Sequence, residues 1–272
     1  MAEKSAPSNL AIRLATAAVG APLILLLLYK GPAWGFFLLT LTVSLIGVWE
    51  FLNMTHPGDR VSQIYGLAIS TASAGAVYFG HHRLLITVLV IVPLAGPLFT
   101  LVRLGDISTA AFRACAMSLA PLFVPVPLAW LAILNRDNGP GWVVMSIMFA
   151  WFADTGGYFA GRFLGKHKLY EAVSPKKTVE GAFGGIAGAM IGATLASLWF
   201  LKEIPLTRSL PLALVACVLG QAGDLAESLI KRSTGVKDSG AIVPGHGGIL
   251  DRVDALILTS ATVYLYTLWS PF

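Results

Sequence analysis

Asp224, Glu227, Ser228 and Lys231 stand at i, i+3, i+4 and i+7 in an otherwise apolar stretch. At 3.6 residues per turn a helix aligns all four on one polar stripe. Ionisable groups inside an apolar helix are costly, so such a stripe faces a bundle interior or a wet cavity and marks a candidate functional site. The segment that follows suits phosphate. Lys231, Arg232, Lys237 and Arg252 supply positive charge, and an arginine grips two phosphate oxygens at once. In Pro244-Gly-His-Gly-Gly248 the glycines let the backbone approach an anion closely, and Gly247 and Gly248 lead into a helix N-terminus. Asp251 and Asp254 share a face of that next helix, where Asp224 from the neighbouring antiparallel helix would complete a carboxylate cluster. Three oxygen donors beside bound phosphate describe a magnesium site better than a zinc or iron one. His246 has two readings, a general base or a hydrogen-bond donor that braces the loop or holds a phosphate oxygen.

A second polar segment runs from Asp154-Thr-Gly-Gly-Tyr158 through Lys166-His-Lys168 to Ser174-Pro-Lys-Lys-Thr178-Val-Glu180-Gly181. Asp154 lies in an apolar context and needs a partner, a cation or a wet cavity. Ser174, Lys176, Lys177 and Thr178 could cup the phosphates of a nucleotide, and a basic loop beside a membrane also attracts anionic headgroups. The sequence has no Gly-x-Ser-x-Gly elbow, no paired-histidine zinc helix and no phosphate-loop Gly-x-x-x-x-Gly-Lys-Ser/Thr, which argues against hydrolases and soluble NTPases.

The elements that must carry these residues are membrane helices. Of 272 residues, 56% are hydrophobic and 12% charged, and the mean hydropathy is +0.75, far from the usage of soluble domains. Apolar runs of spanning length fall at 10–28, 33–54, 63–79, 84–102, 110–134, 142–163, 182–200, 210–230 and 250–268. The expected fold is therefore all-α, a polytopic bundle of about nine spans with a polar, cytoplasm-facing cavity formed mainly by the C-terminal half. Residues 1–140 would supply supporting, dimer-forming or lipid-facing helices, and 141–272 the catalytic helices and loops. Lys4 and Arg13 precede the first apolar run as in a signal peptide, but no small-residue cleavage pattern follows Leu28 and Lys30, so a retained helix is expected. With alternating spans, the 19 Lys and Arg gather on the N-terminal side, except Lys30, Arg83, Arg136, Lys202 and Arg208. The positive-inside rule then makes the N-terminus and both polar segments cytoplasmic and leaves Phe272 outside. Prolines such as Pro121, Pro125 and Pro127 predict kinks. Gly181, Gly184, Gly185, Gly188 and Gly192 predict close helix packing. Cys115 and Cys217 read as packed apolar residues, and Glu50, Asp59, Asp106, Asp137 and Glu203 as interfacial carboxylates.

The run Ser228-x-x-Lys-Arg-x-x-x-x-Lys237-Asp238 through Pro244-Gly-His-Gly-Gly-x-x-Asp251-Arg-x-Asp254 resembles the signature of the CDP-diacylglycerol synthases, or phosphatidate cytidylyltransferases. The segments at 152–157 and 174–181 are similar to that family too, whereas the first 140 residues match it in hydropathy. The resemblance implies transfer of CMP from CTP to phosphatidate in phospholipid biosynthesis. It implies Mg²⁺ on Asp224 and Asp251, with Asp254 in the inner or outer shell, and allows a second cation. Lys231, Arg232, Lys237 and Arg252 would neutralise the reacting phosphates. Ser228 and His246 would position phosphate oxygens, and Asp154, Asp238, Gly247, Gly248 and the loop from Ser174 to Thr178 would contact substrate. The partners implied are CTP, phosphatidate, membrane lipids and a second copy of the chain, in the cytoplasmic (inner) membrane, with no nucleic acid. Two rival readings are a CTP-dependent polyprenol or dolichol kinase and an ion or metabolite transporter. The kinase would need a general base for its neutral acceptor, and the transporter would show an inverted repeat, which is not seen.

Overall fold

A computed structural model describes residues 9–80, 82–242 and 247–270. Among the described residues the chain forms α1 Asn9–Lys30, α2 Ala33–Thr55, α3 Arg60–Phe79, α4 His82–Val102, α5 Ile107–Phe123, α6 Pro125–Asn138, α7 Pro140–Phe163, α8 Val179–Trp199, α9 Leu206–Ser233 and α10 Leu250–Trp269. A two-stranded antiparallel hairpin, β1 Lys168–Tyr170 and β2 Ser174–Thr178, lies between α7 and α8. The fold is thus nearly all-α, and the only strands among the described residues fall where the sequence suggests a basic loop.

Among the described residues, six segments are long and apolar enough to cross a membrane: Ala33–Thr55, Arg83–Val102, Ile107–Asn138, Pro140–Phe163, Val179–Trp199 and Leu206–Ser233. The other expected spans, α1, α3 and α10, are helical as well, and α3 and α10 carry polar residues. Helix α3 buries Ser62, Gln63, Ser70 and Ser73, and α10 opens on Asp251-Arg252-Val253-Asp254. Helix α1 is apolar over Gly20–Lys30. Ile86, Leu89, Ile91, Leu94, Leu98 and Leu101 of α4 are all more than half exposed. Water would not tolerate so large an apolar face, and hydrocarbon accepts it.

The span expected at 110–134 is interrupted. Helix α5 ends after Pro121, and α6 begins at Pro125, whose missing N–H and fixed φ suit a first helical turn. Val124 at the joint still donates to Ala120 O and accepts from Leu128 N, each at 3.3 Å, so the two helices stay stacked across a kink. Helix α6 occupies the centre of the bundle against α2, α3, α7 and α10. Its Leu128, Leu131, Ala132 and Leu134 are buried.

Two close crossings bring the polar segments together. Along α7 and α8 glycine faces glycine: a Cβ on Gly156 would lie 2.3 Å from Gly184 O, and one on Gly188 would lie 2.1 Å from Phe152 O. Lipid tails offer no hydrophobic drive for helix association, so this contact relies on backbones meeting directly. Gly188→Ala therefore has no flexible neighbour to displace and must part the helices. A loss of about 1–3 kcal/mol is expected, read as a lower melting temperature in detergent; an unchanged melting curve would contradict this packing. At the second crossing, a Cβ on Gly220 of α9 would lie 2.5 Å from Thr259 Oγ1 of α10, and one on Gly223 would lie 3.1 Å from Asp254 O. The small residues at this crossing bring the acidic start of α10 against the polar stripe of α9.

Candidate active site

The stripe on α9 forms as its spacing predicts, and three of its members are buried: Glu227 is 1% exposed, Lys231 7% and Ser228 8%, while Asp224 is partly exposed. One carboxylate oxygen from each of Asp224, Glu227 and Asp254 lies within 4.8 Å of the others. Like charges this close are tolerable only with compensating positive charge or a shared proton. Glu227 Oε1 is buried and has no hydrogen-bond donor, while Glu227 Oε2 faces Lys231 Nζ at 2.5 Å. A buried oxygen without a donor, ringed by two further carboxylates, is a donor set that suits a hard, oxygen-seeking divalent cation.

Asp251, expected to complete this cluster with Asp224 and Asp254, faces elsewhere. Its Oδ1 accepts from Lys231 Nζ at 2.6 Å. Its Oδ2 accepts from Ser239 N at 3.0 Å, Ser239 Oγ at 2.9 Å and Gly248 N at 2.9 Å. These donors lie on the side of α10 toward the returning loop, and they hold the Asp251 carboxylate away from Asp254. Glu227 takes the third place instead. It stands on the same stripe, but spacing alone could not show that Asp251 would be taken up by Lys231, Ser239 and Gly248 while Asp254 meets Asp224 and Glu227. Lys231 thus sits between Glu227 and Asp251, balancing two buried carboxylates with one ammonium.

The other expected residues distribute as follows. Asp224 Oδ2 pairs with Lys177 Nζ of the hairpin at 2.5 Å, which ties β2 to α9. Asp224 and Lys177 also line a cleft of about 360 Å³ with Asp154, Tyr158, Arg162 and Lys176. Asp154 is close enough to Asp224, Lys177 and Arg252 to feel their charges. The cleft floor is the glycine face of α7 and α8, including Gly157, Gly161 and Gly181, where the absence of side chains leaves room for a ligand. Thr178 caps α8, its Oγ1 accepting from Gly181 N at 3.1 Å. Ser174 pairs with Tyr170 across the hairpin. Glu180, in the first turn of α8, anchors the loop before the hairpin, accepting from Lys166 N at 3.0 Å and His167 N at 3.2 Å.

Arg232 braces the backbone, donating from Nε to Val173 O at 3.4 Å and from Nη1 to Val236 O at 3.0 Å. Lys237, Asp238 and Arg252 are exposed beside the cluster's loop. Gly247 adopts φ +80, a conformation that favours glycine. The amides expected to receive an anion near Gly248 are occupied by the chain's own carboxylates. Gly248 N serves Asp251, and the next two amides serve Glu50, which is described below. His246 lies outside the described residues, as do Pro244 and Gly245.

Comparison with known proteins gives the family of the chain. The model of the cytidylyltransferase family matches residues 11–269, nearly the whole chain. The chain belongs to the cytidylyltransferase family. A phosphatidate cytidylyltransferase of Brucella suis biovar 1 is 34% identical over 265 residues, covering 95% of this chain and 93% of that protein. Proteins of the same name from Bacillus subtilis (strain 168) and Staphylococcus saprophyticus are 41% and 42% identical over 150 and 148 residues. Those two matches cover 54% of this chain and 56% and 55% of the relatives, so the chain spans about half their length.

Proposed function

We propose that this protein transfers CMP from CTP to phosphatidate, giving CDP-diacylglycerol and pyrophosphate for phospholipid biosynthesis. The observation that carries the proposal is the convergence of Asp224, Glu227 and Asp254 at one edge of a cleft that also holds Arg162, Lys176 and Lys177. In the reaction a phosphate oxygen of phosphatidate attacks the α-phosphorus of CTP. The bond from that phosphorus to the oxygen bridging the β-phosphate breaks, and pyrophosphate leaves with the electron pair. Phosphatidate is already ionised near neutral pH, so the acceptor needs no strong base. The main barrier is bringing two anions into line.

Held by Asp224, Glu227 and Asp254, Mg²⁺ would neutralise the triphosphate, with room in the chemistry for a second cation. Arg162, Lys176 and Lys177 in the cleft, with Lys237 and Arg252 at its cytoplasmic margin, draw the phosphates in and offset the charge that builds on the leaving group. Lys177, which pairs with Asp224, would offer its ammonium to a phosphate in the cleft. Asp251 and Lys231 lock the α9 stripe to the start of α10. Arg232 fixes the hairpin carrying Lys176 and Lys177 against the end of α9.

Several wider properties go with this reading. Counting α5 and α6 as one span, and adding α1, α3 and α10 to the apolar six, gives nine. The bias of Lys and Arg supports a cytoplasmic N-terminus and active site, with Phe272 across the cytoplasmic (inner) membrane. The family resemblance supports a homodimer. Acyl chains would remain in the cytoplasmic leaflet while the headgroup enters the cleft.

The test is to incubate detergent-purified protein with phosphatidate, Mg²⁺ and CTP labelled at the α-phosphate. Label retained in a lipid product, with one pyrophosphate released per lipid, is the expected result. Transfer of γ-label alone would indicate a lipid kinase. Absence of any labelled lipid from nucleotide-binding protein, with solute uptake into vesicles, would indicate a transporter.

A further inference from the structure

Glu50 lies on α2, in the half of the chain expected to supply supporting, dimer-forming or lipid-facing helices, and its sequence position suggests an interfacial carboxylate. It is instead 2% exposed. Its Oε1 accepts from Ile249 N at 3.1 Å, and its Oε2 from Leu250 N at 2.9 Å and Ser239 Oγ at 3.2 Å. The loop is shaped to admit it. A Cβ on Gly240 would lie 2.4 Å from Glu50 Oε1, and one on Gly248 would lie 2.5 Å from Glu50 Oε2.

We propose that Glu50 is a positioning residue for the reaction, fastening Ser239 and the first turn of α10 to α2 so that Asp254, Asp251 and Lys231 keep their relative geometry. This rests on the cytidylyltransferase reading of the site. The contacts form a continuous path: Glu50 to Ser239, Ser239 to Asp251, Asp251 to Lys231, and Lys231 to Glu227 in the acidic cluster. Ser239 Oγ has one proton and two carboxylate neighbours, and the shorter contact is with Asp251. Glu50 is therefore held chiefly by the two backbone amides at the start of α10, where the helix dipole favours a negative charge. A neutral cap could satisfy those amides. An ionised carboxylate makes stronger hydrogen bonds, and its burial is worth its desolvation where the loop must not shift, since a displacement on the ångström scale costs heavily in catalysis.

The test compares wild type with Glu50→Gln, full-length in detergent, by steady-state kinetics and hydrogen exchange. Gln preserves volume but turns an amide donor toward donors. Turnover is expected to fall about 10–100-fold, as when an outer-shell partner is lost, with KM for CTP changed by less than about threefold because the cleft residues are untouched. Amide exchange in residues 239–242 and 247–252 should accelerate about tenfold or more, with the helices away from this loop unchanged. Adding Ser239→Ala should cost less than the product of the two single effects, since both cut one path.

Turnover within twofold of wild type would overturn the proposal, as would exchange that accelerates throughout the chain, the mark of a merely structural residue. If Glu50→Gln yields no folded protein, Gly240→Ala, which pushes a methyl group onto Glu50 Oε1, carries the same readouts. If the wild type makes no CDP-lipid, the functional reading fails, while hydrogen exchange still decides whether Glu50 holds the loop.

Discussion

Glu227→Gln is expected to reduce turnover by roughly 10²-fold or more, the scale of losing one preorganised electrostatic stabiliser in an active site, and to raise the Mg²⁺ concentration needed for half-maximal activity. The variant keeps the side-chain volume and removes the charge of a carboxylate that is 1% exposed and whose Oε1 has no donor. Asp224 and Asp254 would remain, so a cation could still bind, though more weakly and with less charge directed at the triphosphate. Asp251→Asn should behave differently. Its carboxylate is engaged by Lys231, Ser239 and Gly248, so turnover should drop with a much smaller shift in the Mg²⁺ requirement. Mg²⁺ titration of the rate, paired with Mn²⁺ binding followed by EPR, separates the two. If Asp251→Asn abolished Mn²⁺ binding and Glu227→Gln left it intact, Asp251 would regain the ligand role and Glu227 would lose it.

Lys231→Met should destabilise the protein by about 3–5 kcal/mol, the range for removing one partner of a buried ion pair. Lys231 is 7% exposed and lies 2.5 Å from Glu227 and 2.6 Å from Asp251. Without its ammonium, the Glu227 and Asp251 carboxylates lose their shared cation beside Asp224 and Asp254. The melting temperature in detergent should fall sharply. Lys231→Arg should not restore it, because a planar fork does not fit the place of a compact ammonium between two acceptors. The triple variant that adds Glu227→Gln and Asp251→Asn removes the unpaired charges. It should recover much of the lost stability and none of the activity. A melting temperature unchanged in Lys231→Met would mean that the two carboxylates are satisfied from elsewhere.

The parts of this site that could be read in advance were those set by local periodicity. The α9 stripe follows from four residues at helical spacing, and the tight α7–α8 contact from glycines at 181, 184, 185 and 188. The proline-rich stretch at 121–127 announced a kink, realised as two stacked helices meeting at Val124. Residues whose orientation depends on tertiary partners were not legible. Asp251 and Asp254 lie three apart at the start of one helix, and which of them joins Asp224 and Glu227 depends on the donors that Lys231, Ser239 and Gly248 offer to Asp251. The hairpin escaped notice because strands of three and five residues, rich in Lys, show no apolar alternation. Its stability comes from anchors at Thr178, Glu180 and Val173. Glu50 gave no local signal, since its closest partner, Leu250, is 200 residues away.

That separation has a consequence for biosynthesis. At roughly 5–20 residues per second, α2 enters the bilayer about 10–40 s before the amides that receive Glu50 leave the ribosome. During that interval the carboxylate has no permanent partner and must remain near the lipid–water boundary or be met by a transient one. The arrival of α10 therefore draws an early, waiting charge into the protein interior. Ribosome-bound chains stopped before residue 239 should leave Glu50 reachable from the aqueous side, and chains released at full length should not. Maturation of the N-terminal helices and assembly of the catalytic loop would then be a single late event.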